Sequence, residues 1–173
     1  MQTQEGENVG VYAIEGNFDD AQSGVKKIFS DNAFKNELRE RGYELSSANS
    51  INWGRLLPQI VYYVSSYAEL VKIKEISCGE EINVCVPTGN FGNILAAYYA
   101  KEMGVPIKTL ICASNSNNVL TEFIRTGVYN KNRAFVQTIS PSMDILISSN
   151  LERLLYHMSG NDSELVKELM ASL

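Results

Sequence analysis

Apolar positions recur along this chain in two rhythms, alternating residues and residues three or four apart, and these predict alternating strands and helices. Val9–Ile14 alternates and is rich in β-branched residues, so it reads as a strand ended by Gly16. A helix follows, with Asp19 or Asp20 as its N-cap and Ala21, Val25, Ile28 and Phe29 along one face. Asp31 caps a second, shorter helix in which Phe34 and Leu38 face inward and Gly42 closes the end. Tyr43–Ser47 reads as a short strand. From Ile51 to about Ile73, Leu56, Ile60, Tyr63, Val64, Tyr67, Leu70 and Val71 recur at helical spacing, which predicts one long helix that Pro58 bends or whose first turn it ends.

A charged connection, Lys72–Glu81 with Gly79 inside it, separates this first set of elements from a second. Ile82–Val86 is a short apolar run closed by Pro87 and Gly89, and Ile94, Leu95 and Tyr98 then repeat as on a helix that ends near Met103, with Gly104 at C′ and Pro106 as a stop. Ile107–Ala113 is nearly continuous in apolar residues, as a buried parallel strand joined by a helical crossover should be. Ser114–Asn118 is a polar loop at the carboxyl end of that strand, where ligands collect in open α/β sheets. A helix over Val119–Thr126 closed by Gly127, a strand over Ala134–Thr138, a long helix from a Ser140 cap through His157, and a terminal helix over Ser163–Ser172 complete the reading. The class is α/β, three-layered, with a mainly parallel sheet and helices on both faces.

Composition changes this picture little. Apolar residues make up 45% and charged residues 20%, enough for a packed core. The net charge of −5 and the absence of a Lys/Arg cluster exclude nucleic acid as a main partner. No apolar run is long enough to span a bilayer, and Met1–Asn8 is polar without a signal-peptide core, so a cytosolic location with no membrane partner is expected. Cys78, Cys85 and Cys112 have no metal-ligand spacing, and Cys85 and Cys112, inside apolar strands, read as small core residues. The single histidine, His157, reads as structural or surface. Asp19 and Asp20 could join Glu15 and Gln22 as oxygen ligands of a hard cation, but helix capping explains them better. No metal is expected.

The chemistry concentrates where the strand Ile82–Val86 runs through Pro87-Thr88-Gly89-Asn90-Phe91-Gly92-Asn93 into a helix. A helix start carries unpartnered N–H groups and the positive end of the macrodipole. Two glycines let a phosphate approach those N–H groups without meeting a Cβ, and Thr88, Asn90 and Asn93 offer further hydrogen bonds. The loop lacks the third glycine of the dinucleotide pattern and the Lys-Ser/Thr pair of a nucleotide P-loop, which disfavours a nucleotide-binding module. On spacing alone, a phosphate cradle and an ordinary tight turn both remain open.

Pro-Thr-Gly-Asn-Phe-Gly-Asn followed by Ile-Leu-Ala-Ala-Tyr-Tyr-Ala-Lys resembles the cofactor-phosphate loop of threonine synthase, a pyridoxal-phosphate enzyme of fold type II. Three further stretches are similar to the same family: Glu15–Gln22, Ser46–Gln59 and Ser140–Ile145. The resemblance runs from about Asn8 to about Tyr156. It implies that the chain is an internal fragment of a longer enzyme, with residues 1–76 in the smaller, cofactor-side domain and 77–173 in the larger one.

The family converts O-phospho-L-homoserine and water to L-threonine and phosphate. The resemblance therefore implies pyridoxal 5'-phosphate as cofactor, with its phosphate held by Gly89, Asn90, Phe91, Gly92 and Asn93. It also places the substrate near Asn49, Ser50, Asn52 and Arg55, where an arginine among small polar residues suits a dianionic phosphate. The lysine that anchors the cofactor lies in the family in a Phe-Lys-Asp-type motif upstream of the matched region, and no lysine here sits in such a motif. The expectation is thus a fragment inactive by itself, with no catalytic residue assigned and an oligomer possible through open sheet edges. The alternative is a non-catalytic homologue that binds a phosphorylated metabolite.

Overall fold

The computed structural model describes residues 6–172. The chain divides into two compact units, one up to Leu45 and the other from Ser46 onward.

The first unit holds helices α1 (Phe18–Ser30) and α2 (Asn32–Glu40). Asn17, not Asp19 or Asp20, caps α1. Its side chain accepts the N–H groups of Asp19 and Asp20, while Asp20 accepts the Asn17 N–H at 2.8 Å, which closes a reciprocal capping box. Asp31 caps α2 by accepting the Phe34 N–H, and Gly42, at φ +81°, lets Tyr43 donate back to the Leu38 carbonyl. The apolar face read for these helices is largely open: Val25, Ile28 and Phe34 are exposed, and the buried residue of α1 is Gln22. Val9–Ile14 forms no strand. Among the described residues Val9 bridges only to Gly6, through a tight turn, and no strand pairs with residues 10–14. Tyr43–Ser47 is likewise irregular.

The second unit begins with α3 (Trp53–Leu56), a 3₁₀ turn (Leu57–Gln59) and α4 (Ile60–Lys72). The single long helix of the sequence reading is therefore broken at Pro58, which has no N–H to give. Gln59 Nε2 compensates by donating to the Arg55 carbonyl at 2.9 Å. Strands β1 (Ile82–Pro87) and β2 (Ile107–Ala113) flank α5 (Gly92–Glu102) and pair in parallel, Val84 opposite Leu110 and Val86 opposite Cys112. This is the strand, helix, parallel strand unit of α/β proteins. Then come α6 (Val119–Thr126), α7 (Leu151–Met158) and α8 (Ser163–Ala171).

The core gathers Leu56 and Ile60 with Val86, Phe91, Ile94, Leu95, Ile107, Leu120 and Leu151. Alanines at 96, 97 and 100, all fully buried, let α5 lie close to its neighbours. One face of the sheet stays open, so Cys85 and its cross-strand neighbour Ile111 are exposed, and the core position read for Cys85 is corrected. Cys112 is half-buried, and burial raises its thiol pKa above the ordinary value.

Two further expectations change. Ala134–Thr138 is not a strand, because the Val136 N–H and carbonyl are both taken by the side-chain amide of Asn117 instead of by a neighbouring strand. The helix read from Ser140 to His157 is a 3₁₀ turn (Pro141–Met143), an irregular stretch, and α7. The break follows from Asp144, whose carboxylate is turned inward and held by Thr138, Asn115 and Asn117. On either side of the Lys72–Glu81 connection, α4 and α5 pack on each other within the second unit.

Candidate functional site

The site is built where β1 ends. The Thr88 N–H extends the ladder by donating to the Ala113 carbonyl at 2.7 Å, and its buried hydroxyl turns back to the Val86 carbonyl. The chain then leaves the sheet. Phe91 stands at the N-cap of α5 in the left-handed region, φ +64°, with its ring in the core. A non-glycine residue there costs on the order of 1–3 kcal/mol and persists only where the surroundings impose it.

The N–H groups of six consecutive residues, Gly89 to Ile94, make no hydrogen bond among the described residues. Together they form the amino end of an eleven-residue helix and the loop before it. Such a run concentrates partial positive charge and suits an anion. Beside it lies a cavity of about 250 Å³, lined by this loop together with Ser50, Gln59, Ser142 and Met143.

Packing requires a glycine at 92 and is tight at 89. A Cβ on Gly92 would lie 2.7 Å from the Ser50 side chain, and one on Gly89 would lie 2.8 Å from Ile145 Cδ1. These contacts, with the six free N–H groups, fit a phosphate group held by backbone. A larger hollow of about 430 Å³ on Ile94, Tyr98, Leu110 and Leu154 is almost wholly apolar and offers no comparable donors.

Of the residues read for the substrate, Ser50 lines the same cavity as the loop. Asn49 accepts the Ile51 N–H in a local turn. Asn52 is committed to structure, accepting the Gly54 N–H as the cap of α3 and donating to the Ser47 carbonyl. Arg55 is exposed, with Nε donating to the Ala48 carbonyl at 2.9 Å.

Sequence reasoning missed the residues that tie these segments together. Asn150 is fully buried, and both its backbone N–H and its Nδ2 donate to the Asn90 carbonyl, at 3.1 and 2.9 Å. The same Nδ2 reaches Ser50 Oγ at 2.9 Å. Arg153 donates to Asn150 Oδ1 and to the carbonyls of Ser50 and Ile51. Asn150 occupies the cap position before α7, a signal hidden by the longer helix expected there.

Asp144 organises the segment carrying Ser142 and Met143. Burial alone would push its carboxyl pKa up, but hydrogen bonds from the Thr138 N–H and hydroxyl, Asn115 and Asn117 outweigh it and hold the group below the ordinary carboxylate value. Tyr63 on α4 donates to Asn93 Oδ1 at 2.6 Å, and burial pushes its phenol up to about 12. His157 is within 2.9 Å of the Tyr99 hydroxyl in an aromatic cluster with Tyr98. Among the described residues, no group of three His, Cys, Asp or Glu side chains is placed to hold a metal ion, and no helix is long and apolar enough to cross a membrane.

No family model matches the chain. It is 56% identical over 169 residues to human threonine synthase-like 1, a match covering 96% of this chain and 23% of that protein. It is 45% identical to the threonine synthase of Eremothecium gossypii, over 95% of this chain and 31% of the relative, and 42% identical to that of Pseudomonas aeruginosa, over 98% and 34%. Among solved structures, the pyridoxal-phosphate-bound threonine synthase of Brucella melitensis superposes with a TM-score of 0.74 at 46% identity, covering 92% of this chain and 32% of that one. The Escherichia coli threonine synthase gives 0.76 at 35% identity, covering 89% and 34%.

The α/β fold of the chain is thus shared with a pyridoxal-phosphate-bound threonine synthase. The chain is homologous to one segment of the threonine synthases, and it spans about a quarter to a third of the length of these relatives.

Proposed function

We propose that the chain supplies the cofactor-phosphate site of a threonine synthase, with Gly89, Asn90, Phe91, Gly92 and Asn93 holding the phosphate of pyridoxal 5'-phosphate. One observation carries this reading above the others: the unbroken run of unpartnered N–H groups from Gly89 to Ile94 beside a polar cavity. Hydrogen bonds from such groups to an ionised phosphate contribute about 1.5–3 kcal/mol each. The reading is supported by the pyridoxal phosphate named for the Brucella melitensis structure, which shares this fold.

In the intact enzyme the reaction converts O-phospho-L-homoserine and water to L-threonine and phosphate. The bound cofactor supplies an electron sink for that chemistry. The chain's own part is to bind and orient. The loop fixes the cofactor phosphate, and the segment carrying Asn49, Ser50, Asn52 and Arg55 faces the substrate, with Ser50 shared between the two and Arg55 the available cation. No lysine lines the cavity, so this chain is assigned no residue that anchors the cofactor ring. We place residues 1–76 in the smaller domain and 77–173 in the larger one, which makes the Tyr63 to Asn93 hydrogen bond a contact between domains.

The test is to assay the longest natural protein containing this chain with O-phospho-L-homoserine and pyridoxal phosphate. Phosphate release that Gly92→Asp abolishes supports the reading. Tight cofactor binding with no phosphate release would convert it to a non-catalytic homologue.

A further inference from the structure

We propose that Asn150, itself held by Arg153, is the positioning residue that fixes which way the 90–91 peptide faces in the phosphate loop. The inference rests on the reading of the loop given above and extends it to residues that do not touch the ligand.

The peptide that joins Asn90 to Phe91 is planar. In a trans peptide the carbonyl and the following N–H point in opposite directions, and there is no cis bond in the described chain. Whatever holds the Asn90 carbonyl therefore also aims the Phe91 N–H. That carbonyl accepts two hydrogen bonds, both from Asn150. The Phe91 N–H, on the opposite edge of the same plane, has no partner among the described residues and is left for a ligand.

Such a lock has work to do here. Phe91 sits in the left-handed region at φ +64°, ψ 0°, where a rotation of the preceding peptide would relieve backbone strain and turn the carbonyl toward the anion. Asn150 opposes that rotation from a fully buried position. Its own orientation is set by Arg153, whose Nη1 lies 2.6 Å from Asn150 Oδ1 and which also grips the Ser50 and Ile51 carbonyls. The amide cannot flip without presenting its NH₂ to a guanidinium. Through Nδ2 and Ser50 Oγ, the same amide ties residue 50 to the loop at 2.9 Å. One buried asparagine thus couples the segment read for the substrate to the segment read for the cofactor.

The experiment uses the 173-residue chain and inorganic phosphate, followed by amide proton and nitrogen shifts. In the wild type, phosphate should shift the Phe91 amide along with its loop neighbours. Asn150→Leu is nearly isosteric, adds no charge, and removes the Nδ2 bond while keeping the backbone one; it should weaken phosphate binding at least tenfold and shrink the Phe91 shift. Arg153→Lys, which keeps the charge but not the fork, should weaken binding by a smaller factor.

A folded Asn150→Leu chain that binds phosphate as the wild type does, with the same Phe91 shift, overturns the inference and leaves the loop reading intact. A wild type in which no amide from 89 to 94 responds overturns both. Should Asn150→Leu not fold, Arg153→Lys decides, with unchanged affinity counting against the inference. Should neither fold, the wild type decides alone: scalar coupling across the hydrogen bond from Asn150 Nδ2 to the Asn90 carbonyl must be present, and its absence overturns the inference.

Discussion

Gly92 and Ser50 leave no room between them: a Cβ added to Gly92 would lie 2.7 Å from both Cβ and Oγ of Ser50. A helical Gly→Ala change ordinarily stabilises by about 1 kcal/mol, but here the added methyl has nowhere to go. Gly92→Ala should therefore destabilise the chain by about 1–3 kcal/mol, measured by denaturant unfolding. Ser50→Ala should not rescue it, because the Ser50 Cβ is one of the clashing atoms, whereas Ser50→Gly should. Gly89→Ala meets only the tip of Ile145 within 3 Å, so Ile145→Val should relieve most of its smaller effect.

Asp144 should give the stability curve part of its acid limb. Its folded-state pKa is held below the ordinary value, so its contribution is complete above about pH 4 and is lost as pH falls through the lower folded-state value. Asp144→Asn should lower stability at pH 7 and flatten the decline below pH 4. Unfolding midpoints between pH 2.5 and 7 check this; parallel curves for the two proteins would count against it.

Tyr63 acts at the opposite end of the pH scale. Its phenol is neutral and bonded to Asn93 in the fold, with a pKa of about 12, whereas in the unfolded chain it ionises near 10. Stability should fall as pH rises from 10 towards 12, and Tyr63→Phe should remove that part of the slope. At neutral pH the same change should cost about 0.5–1.5 kcal/mol for the lost hydrogen bond, at the lower end because Asn93 is exposed and water can replace the phenol.

The three thiols should separate in alkylation. Cys78 and Cys85 are exposed, while Cys112 is half-buried with a raised pKa, which leaves less thiolate at pH 8. Peptide mapping after timed iodoacetamide treatment should show Cys112 modified at least tenfold more slowly. Equal rates would mean that the unit carrying β2 opens readily.

The elements most legible in the sequence were those with local punctuation. β2 and α6 lie where the apolar run before Ser114 and the closing Gly127 put them, and α5 ends at Glu102 with Gly104 at C′, as its signal required. What escaped was non-local. Val136 looks like a strand residue, but its backbone partner is the Asn117 side chain, nineteen residues away. The helix expected from Ser140 fails because Asp144 is drawn inward by a network reaching back to Asn115. Of the site, the loop itself was legible from its glycines and the helix after it. Asn150 was not, because its partners Asn90 and Ser50 lie 60 and 100 residues away and nothing periodic marks it. Arg55, singled out by charge, proves exposed, while Arg153, unremarked in sequence, makes the structural bonds.

The proposed role of the loop at residues 89–93 is to bind a cofactor phosphate through its backbone. The most direct test is the thermal melt of the chain with pyridoxine 5'-phosphate, which keeps the phosphate but cannot react with lysines, against pyridoxine as control and with Gly92→Asp in parallel. A concentration-dependent rise in Tm is expected with pyridoxine 5'-phosphate alone, absent in Gly92→Asp. No rise for the folded wild-type chain at millimolar ligand, or an equal rise in the folded variant, would contradict it.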